Sequence, residues 1–318
     1  MTQPLHKPFW ADGYAVIGYP HVQKSQHCQD DALALATGTM AFAVVSDGCS
    51  SVLDANGRDL HSRTDVGSRV VTHSMRKAVK QIVATSPHPH LAVEAINALQ
   101  RAYMASAQDA LSLDSADLTA TCIYAFLTPQ GGFVHVRGDG AVAIRYTDGK
   151  LLLHRFGWPP EMGPYYPINQ EHPSHFIATH GGNAEATLFT QESWATDGKL
   201  PLFQSASRTY TVREGMDGVL LTFSAKQVKN LEAVAVFSDG VEKLGNISVS
   251  VNNPPFQPWQ DVVAELMQFK AHSDAFVRNR QKRFLDFAAN PERAPYKGES
   301  WVPCDDLSMA AIRLQHTE

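Results

Sequence analysis

Aspartates stand at the boundaries of the most strand-like segments of this chain, and their placement restricts the folds that it can adopt. Asp30 and Asp31 come directly before the segment ALALA, and Asp47 comes directly after AFAVVS. If the two segments pair as an antiparallel hairpin, the start of one lies beside the end of the other. The sequence therefore predicts that these carboxylates meet at one open end of a sheet.

The same placement of acids recurs in two further predicted strand pairs. Asp117 precedes TATCIYAF and Asp139 follows its predicted partner, FVHVRG. Asp239 follows AVAVFS, whereas Asp305 and Asp306 precede LSMAAIRL. Together the pairs would gather the carboxylates along one edge of the sheets. Because like charges within about 4 to 6 Å raise one another's pKa, such a cluster requires compensating cations.

A cluster made only of oxygen ligands selects the kind of cation. Mg²⁺ and Mn²⁺ prefer oxygen, whereas zinc sites in proteins use cysteine and histidine. Gly48 and Gly240 follow Asp47 and Asp239, and a glycine there permits a tight turn and the approach of a backbone carbonyl to a metal. The chemistry indicated is attack on a phosphoester by a hydroxide held between two metal ions.

Apolar periodicity predicts how helices and strands alternate along the chain. The predicted helices cover 65–85, about 91–111 and about 259–289. The predicted strands cover 14–18, 32–36, 40–46, 119–127, 133–137, 141–146, 151–155, 218–223, 233–238 and 307–314. This order favours an α+β fold in which helices pack outside antiparallel sheets.

Residues 156–215 interrupt the regular pattern. The segment FGWPPEMGPYYP is rich in proline, glycine and aromatic residues, and the sequence after it is polar with short strand-like pieces. We expect a single domain over 1–318 with an irregular insertion or flap at about 156–215.

Composition limits the location of the protein and its partners. The chain has 318 residues, 27 basic and 32 acidic side chains, and a formal charge of −5, which argues against a nucleic-acid-binding protein. No apolar run approaches the roughly 20 residues that a membrane span needs, and the first residues lack a leader pattern. The four cysteines form no C-x-x-C pair and indicate reduced thiols. We expect a cytoplasmic protein that binds neither nucleic acid nor membrane.

Four motifs in a fixed order resemble a known family. SDGCSS, GDG, SDGVEK and DDLS, with CQDDA upstream, are similar to motifs of the metal-dependent protein phosphatases of type 2C, and GGNAEATLFT resembles a segment of a bacterial branch. The resemblance covers nearly the whole chain and is weakest over 156–215. It implies a four-layer α-β-β-α sandwich with a binuclear Mg²⁺ or Mn²⁺ centre that hydrolyses phosphoserine and phosphothreonine. It also implies a phosphoprotein substrate and a cognate Ser/Thr kinase, and we expect a monomer.

The resemblance assigns roles to six residues. Asp47 corresponds to the acid that bridges both metals, Gly48 to a ligand through its carbonyl, Asp239 and Asp305 to the other direct ligands of one metal, Asp30 to the acid that holds metal-bound water, and Asp139 to an acid of a third, weaker site. Lys243 stands where that third site often has an acid. We therefore predict that Lys243 pairs with Asp139 and that a third ion is weak or absent.

The chain departs from the family pattern where substrate phosphate is bound. The arginine expected shortly before CQD is missing, and Ser25 stands near its position. His21, Lys24 and His27 are the candidates to contact the phosphate. Cys49 occupies a position that sometimes holds a general-acid histidine, so the group that protonates the leaving group is unassigned.

Several other patterns have a simpler interpretation. His172, His175 and His180 could bind a transition metal, but no element fixes their spacing and a polar loop is favoured. Residues 138–143 loosely fit a dinucleotide fingerprint, yet a hairpin follows them instead of a helix. The basic run 278–283 is interpreted as a solvated helix face, and Cys49 as a bystander rather than a nucleophile. The remaining acids, which we expect to solvate the rim, are Asp31, Asp117 and Asp306.

Two functions remain open from the sequence. One is a Ser/Thr protein phosphatase that uses a hydroxide held by two metal ions, and the other is a catalytically weak, phosphatase-like regulatory module that binds a phosphoprotein or a partner. The complete set of Asp47, Asp239 and Asp305 favours the enzyme. The altered phosphate contact favours the module.

Overall fold

The structure of the protein is a computed structural model that describes residues 9–49, 63–159, 163–179, 181–196, 201–270, 274–293 and 295–315. Of the residues singled out above, His180 lies outside these ranges. No helix within them is both long and apolar enough to cross a membrane.

The strands make up two large sheets and a small third one. In chain order the strands are β1 (Phe9–Val16), β2 (Asp31–Ala36), β3 (Ala41–Ser46), β4 (Cys122–Thr128), β5 (Gly131–Arg137), β6 (Gly140–Tyr146), β7 (Leu151–Gly157), β8 (Thr187–Thr196), β9 (Phe203–Thr211), β10 (Val219–Ser224), β11 (Leu231–Phe237), β12 (Leu244–Asn246), β13 (Trp301–Pro303) and β14 (Leu307–Leu314).

Two long helices and several shorter ones accompany the strands. They are α1 (Tyr19–Gln23), α2 (Thr64–Thr85), α3 (Val93–Leu111), α4 (Pro173–Thr179), α5 (Val212–Asp217), α6 (Ala225–Lys229), α7 (Trp259–Leu266) and α8 (Phe276–Ala288). The prediction of one helix over 259–289 is wrong, because α7 ends at Leu266, residues 267–270 are not helical, and α8 begins only at Phe276.

The predicted α+β architecture is confirmed. One sheet has seven strands in the order β1-β14-β11-β6-β7-β8-β9, and the other has five in the order β10-β5-β4-β3-β2. A core that includes Val136 and Val234 lies between the sheets. Helices α2 and α3 cover the outer face of the five-stranded sheet around Tyr124, and α7 and α8 cover the outer face of the seven-stranded sheet around Phe237. The result is four layers, α-β-β-α.

The register of three antiparallel pairs confirms the hairpin ends predicted from the aspartates. Asp31 pairs with Ser46 across β2 and β3. Cys122 pairs with Arg137 across β4 and β5, and Phe237 pairs with Met309 across β11 and β14. Because each pair opens at the end where its aspartates stand, the acids converge on one edge of the sandwich.

The region predicted as an irregular insertion contains two regular strands. Strands β8 and β9 pair with each other, and β8 pairs with β7, so the segment widens the seven-stranded sheet. Side chains along β8 alternate between buried and partly exposed positions, but the buried ones include Gln191 and Ser193. These polar residues at inward positions hide the period-two pattern of a strand. The single domain over 1–318 stays a prediction.

Candidate active site

Five carboxylates act on one another at the edge where β3, β5 and β11 end, and we call Asp30, Asp47, Asp139, Asp239 and Asp305 the acid cluster. Negative charge on Asp30, Asp239 and Asp305 raises the pKa of Asp47, after burial, which is the largest cause. Burial and the charge of Asp239 likewise raise the pKa of Asp139 to about 7. The structure therefore brings together all five acids that the sequence singled out.

The backbone around Asp47 is fixed against the start of β4. Its N–H donates to the Thr121 hydroxyl at 2.9 Å, and the Thr121 N–H donates to the Asp47 carbonyl at 2.9 Å. The N–H of Gly48 donates to the Gln29 carbonyl at 3.2 Å. These contacts hold the SDG turn in place before any ligand binds.

Asp30 is a buried carboxylate whose two oxygens receive no hydrogen bond of normal geometry from the described residues. Its residue is 3% exposed, and Asp47 and Ser238 lie beside it, yet neither carboxylate oxygen receives a hydrogen bond of normal geometry. Burial is the largest cause that raises the pKa of Asp30 to about 7, and the charges of Asp306 and Asp239 add to it. A proton or a cation is needed to neutralise this group.

Asp139 lies in the crossing from one sheet to the other. It stands between Gly138 (φ 107°) and Gly140 (φ 135°), whose left-handed backbone favours glycine. A Cβ on Gly140 would lie 2.4 Å from the Phe237 carbonyl oxygen, at the end of β11. The two glycines therefore let the GDG turn pack directly against the strand that leads to Asp239.

Lys243 bridges two members of the acid cluster. Its Nζ lies 2.9 Å from Oδ2 of Asp239 and 2.6 Å from Oδ2 of Asp305. The predicted ion pair with Asp139 is wrong, because Lys243 pairs with Asp239 and Asp305 instead; its charge reaches Asp139 only from a longer distance, where it lowers the pKa of that acid. Oδ1 of Asp239 is buried and has no hydrogen-bond partner within the described ranges.

Asp306 was expected at the solvated rim and is buried instead. It accepts hydrogen bonds from the N–H of Gly18 at 2.6 Å and the N–H of Gln29 at 2.5 Å. Nδ1 of His21 lies 2.9 Å from its Oδ1. The expectation is wrong because backbone donors from the segment before β2 replace water around this carboxylate.

The other two rim acids also have protein partners. Asp117 is 6% exposed, and its Oδ1 accepts the N–H of Arg63 at 2.8 Å, so its pKa is lowered. Asp31 is partly buried and accepts a hydrogen bond from the Thr72 hydroxyl. Asp31 therefore binds α2, and Asp117 binds the residue directly before α2. Both acids hold this helix against the five-stranded sheet, and neither solvates the rim.

The three candidates for phosphate binding lie in and after α1. His21 is held by Asp306, whereas Lys24 and His27 are exposed. Among the histidines outside the site, His172 and His175 are exposed at α4, where a short helix stands in place of the expected loop.

Sequence reasoning missed two residues close to the acid cluster. Arg137 is fully buried two positions before Asp139; its Nη2 donates to Gln100, whereas Nε and Nη1 have no hydrogen-bond partner in the part of the chain that the structure describes. Tyr166 contacts Cys49, and burial followed by that contact raises its pKa. The signal for Arg137 is a charged residue at an inward strand position, but the segment that carries Tyr166 has no periodicity that would place it.

The donors of the acid cluster fit a hard divalent cation. They are all oxygens. In the described residues, the buried oxygens of Asp30 and Oδ1 of Asp239 have no hydrogen-bond donor, and a cation would supply the missing interaction. In the described part of the chain, no three His, Cys, Asp or Glu side chains are already drawn together as a metal site. The ammonium of Lys243 accounts for this at one pair, because it neutralises Asp239 and Asp305 itself.

Comparison with known proteins places the chain in a family. A sequence profile described as protein phosphatase 2C matches residues 17–285. No curated protein sequence matches the chain.

Solved structures of low sequence identity cover nearly the whole chain. The chain is similar to the serine/threonine phosphatase PstP/Ppp of Mycobacterium tuberculosis, with 12% identity, 97% of this chain and 99% of that chain covered, and a TM-score of 0.47. It is similar to a bacterial serine phosphatase with 10% identity, 97% and 98% covered, and a TM-score of 0.49. The chain is also similar to a structure of the PP2C phosphatase domain and a fragment of the regulatory domain of SpoIIE from Bacillus subtilis. The identity is 11%, 98% of this chain and 66% of that chain are covered, and the TM-score is 0.44. Because the profile match spans most of its residues, the chain belongs to the protein phosphatase 2C family.

Proposed function

We propose that the protein is a Mg²⁺- or Mn²⁺-dependent phosphatase that hydrolyses phosphoserine and phosphothreonine in proteins. The observation that supports the proposal is the acid cluster, in which burial and neighbouring acids raise the pKa of Asp30, Asp47 and Asp139 and buried oxygens of Asp30 and Asp239 are left unpaired. Carboxylates arranged in this way remain ionised near neutral pH only when cations neutralise them.

The proposed metal ligands are the carboxylates of Asp47, Asp239 and Asp305 and the Gly48 carbonyl, with Asp30 and Asp139 as further acids of the centre. We propose two ions and a third that is weak or absent. Bound there, the ions would neutralise substrate phosphate and lower the pKa of water.

Asp30 is the chain's own candidate to hold a proton during the reaction. Without metal, burial and neighbouring charge raise its pKa to about 7, so the carboxyl beside Asp47 can hold a proton near neutral pH. A proton on its carboxyl oxygen would also relieve repulsion with Asp47 in the absence of a cation.

Lys24 and His27 are the proposed contacts for substrate phosphate, because they are exposed on the segment that leads to Asp30. His21 is proposed to contribute through Nε2, since Nδ1 is engaged with Asp306. We further propose that the substrate is a phosphoprotein and that a cognate Ser/Thr kinase phosphorylates it. We also propose that the protein is a monomer and lies in the cytoplasm.

Phosphate release from phosphoserine and phosphothreonine peptides tests the proposal. We expect release with Mn²⁺ or Mg²⁺, loss of release with EDTA, and recovery when Mn²⁺ is restored. The Asp47→Asn variant is the matched control and is expected to release none. Release that resists EDTA and persists in this variant would overturn the proposal.

A second candidate function is a weakly catalytic regulatory module. The observation that favours it is Lys243, whose ammonium is bound to two of the proposed metal ligands. Such a module would bind a phosphopeptide, measured by fluorescence anisotropy, without releasing phosphate at saturating Mn²⁺.

A further inference from the structure

The ammonium of Lys243 lies where one proposed metal ligand pair faces the solvent. It contacts Oδ2 of Asp239 at 2.9 Å and Oδ2 of Asp305 at 2.6 Å, and the three side chains are 39%, 19% and 29% exposed, in that order. One positive charge therefore neutralises half of the charge on this pair. A divalent cation at the same oxygens would meet a like charge at contact distance.

The backbone fixes Lys243 opposite Asp305. The Cys304 N–H donates to the Lys243 carbonyl at 2.7 Å, and the next pair in register is Leu244 with Pro303, at the start of the small sheet of β12 and β13. This sheet joins the segment after β11 to the segment before β14. Its register sets the lysine beside Asp305, independently of the ion pair itself.

The turn before the lysine fixes its position relative to Asp239. Asp239–Glu242 form a single 3₁₀ turn, and Lys243, directly after it, pairs with the carboxylate four residues earlier. A Cβ on Gly240 would lie 1.9 Å from the Asp306 carbonyl oxygen, so the turn packs on the chain that holds Asp305. Glu242 points elsewhere and pairs with Arg155 at 3.0 Å.

We infer that Lys243 is a built-in counter-ion of the Asp239–Asp305 pair, and that its ammonium limits the binding of a divalent cation there. The inference rests on the proposed function in one respect, because it takes this pair as metal ligands. It predicts that a neutral side chain at position 243 strengthens cation binding. If Lys243 acted only in catalysis, the same substitution would leave cation binding unchanged.

Mn²⁺ binding to the full chain, followed by electron paramagnetic resonance of the free ion, tests the inference. We expect Lys243→Met to bind at least one ion about tenfold or more tightly than the wild type, because a like charge is removed. Lys243→Arg keeps the charge and should stay close to the wild type. Lys229→Met is the matched control, since Lys229 is exposed after β10 at the opposite end of the sheet.

Thermal unfolding provides a second readout. Without metal, Lys243→Met should unfold at a lower temperature than the wild type, because two carboxylates lose their counter-ion. Saturating Mn²⁺ should raise the unfolding temperature of this variant by more than it raises that of the wild type. If this variant does not fold without metal, Lys243→Gln is measured in its place.

Equal Mn²⁺ affinity of the wild type and the neutral variant would overturn the inference, and so would the absence of binding to both. An equal gain in Lys243→Arg would overturn the role of charge. Phosphopeptide hydrolysis by the wild type separates this result from the proposed function. Hydrolysis with no gain in affinity overturns only the inference, whereas a gain without hydrolysis in any metal overturns only the proposed function.

Discussion

Nδ1 of His21 lies 2.9 Å from Oδ1 of Asp306, although 285 residues separate them in the chain. The same carboxylate accepts the N–H groups of Gly18 and Gln29 at 2.6 and 2.5 Å. Asp306 thus fastens the whole segment between β1 and β2 to the start of β14. Because Asp30 is the last residue of this segment, Asp306 fixes the position of one member of the acid cluster without belonging to it.

Asp306→Ala is predicted to destabilise the fold. The substitution leaves the buried N–H of Gly18 and the partly buried N–H of Gln29 without an acceptor, which costs about 2 to 4 kcal/mol in the free energy of unfolding measured with urea. His21→Ala removes only the partly exposed partner and should cost about 1 kcal/mol or less. Equal losses for the two variants would contradict the assignment of Asp306 as the anchor.

Asp47→Asn is predicted to abolish phosphatase activity without unfolding the protein. The amide cannot supply the negative charge needed to hold cations, yet it removes a partly buried carboxyl whose pKa is already raised. In EDTA the variant should therefore unfold at the wild-type temperature or above it. Near wild-type phosphate release, or a large loss of stability, would be inconsistent with this position at the centre of the acid cluster.

The convergence of the aspartates could be predicted from the sequence because it depends on local patterns. Each of the three strand pairs is marked by an apolar run and a boundary acid, and antiparallel pairing then fixes which ends meet. The positions of Asp47 and Asp239 follow from that pairing. The proximity of Asp139 to Asp239 does not follow from strand pairing alone. It also requires the chain to cross from one sheet to the other at Gly138 and Gly140.

Contacts made by long side chains and distant segments could not be predicted in this way. The sequence placed Lys243 next to Asp139 because it gave no means to foresee the pairing of β12 with β13, which turns the lysine towards Asp305. Asp306 was assigned to the rim because its donors come from the other end of the chain. Such contacts depend on tertiary packing, which periodicity does not record.

Cys49→Ser is predicted to keep most of the phosphatase activity. The thiol contacts Tyr166 at the edge of the acid cluster but is not needed as a nucleophile if water attacks the phosphate. Rates of phosphate release before and after iodoacetamide treatment provide the measurement. A loss as large as that of Asp47→Asn, together with a phosphocysteine detected by mass spectrometry, would overturn the proposed chemistry.

Because the pKa of Asp30 is raised, the free energies of unfolding of the wild type and of Asp30→Asn, both measured in EDTA, are predicted to differ by an amount that depends on pH. The carboxyl titrates at about 7 in the folded protein against an ordinary value of 3.8. Between these values the folded state keeps a proton that the unfolded state has released, so the contribution of Asp30 to stability falls as pH rises through this window and is constant above it. The neutral amide of the Asp30→Asn variant resembles the protonated acid and has no such loss.

Buried histidines require the comparison to be made between the two proteins rather than on the wild type alone. Burial lowers the pKa of His135 to about 3 and that of His154 to about 4, so both destabilise the fold as pH falls below their unfolded value. Their effect is common to the wild type and Asp30→Asn and cancels in the difference. We expect the advantage of the variant in unfolding free energy to be small at pH 4.5 and to be larger by at least about 1 kcal/mol at pH 7.5. Saturating Mn²⁺ should reverse that advantage, and a difference that does not change with pH would show that Asp30 is ionised in the metal-free fold.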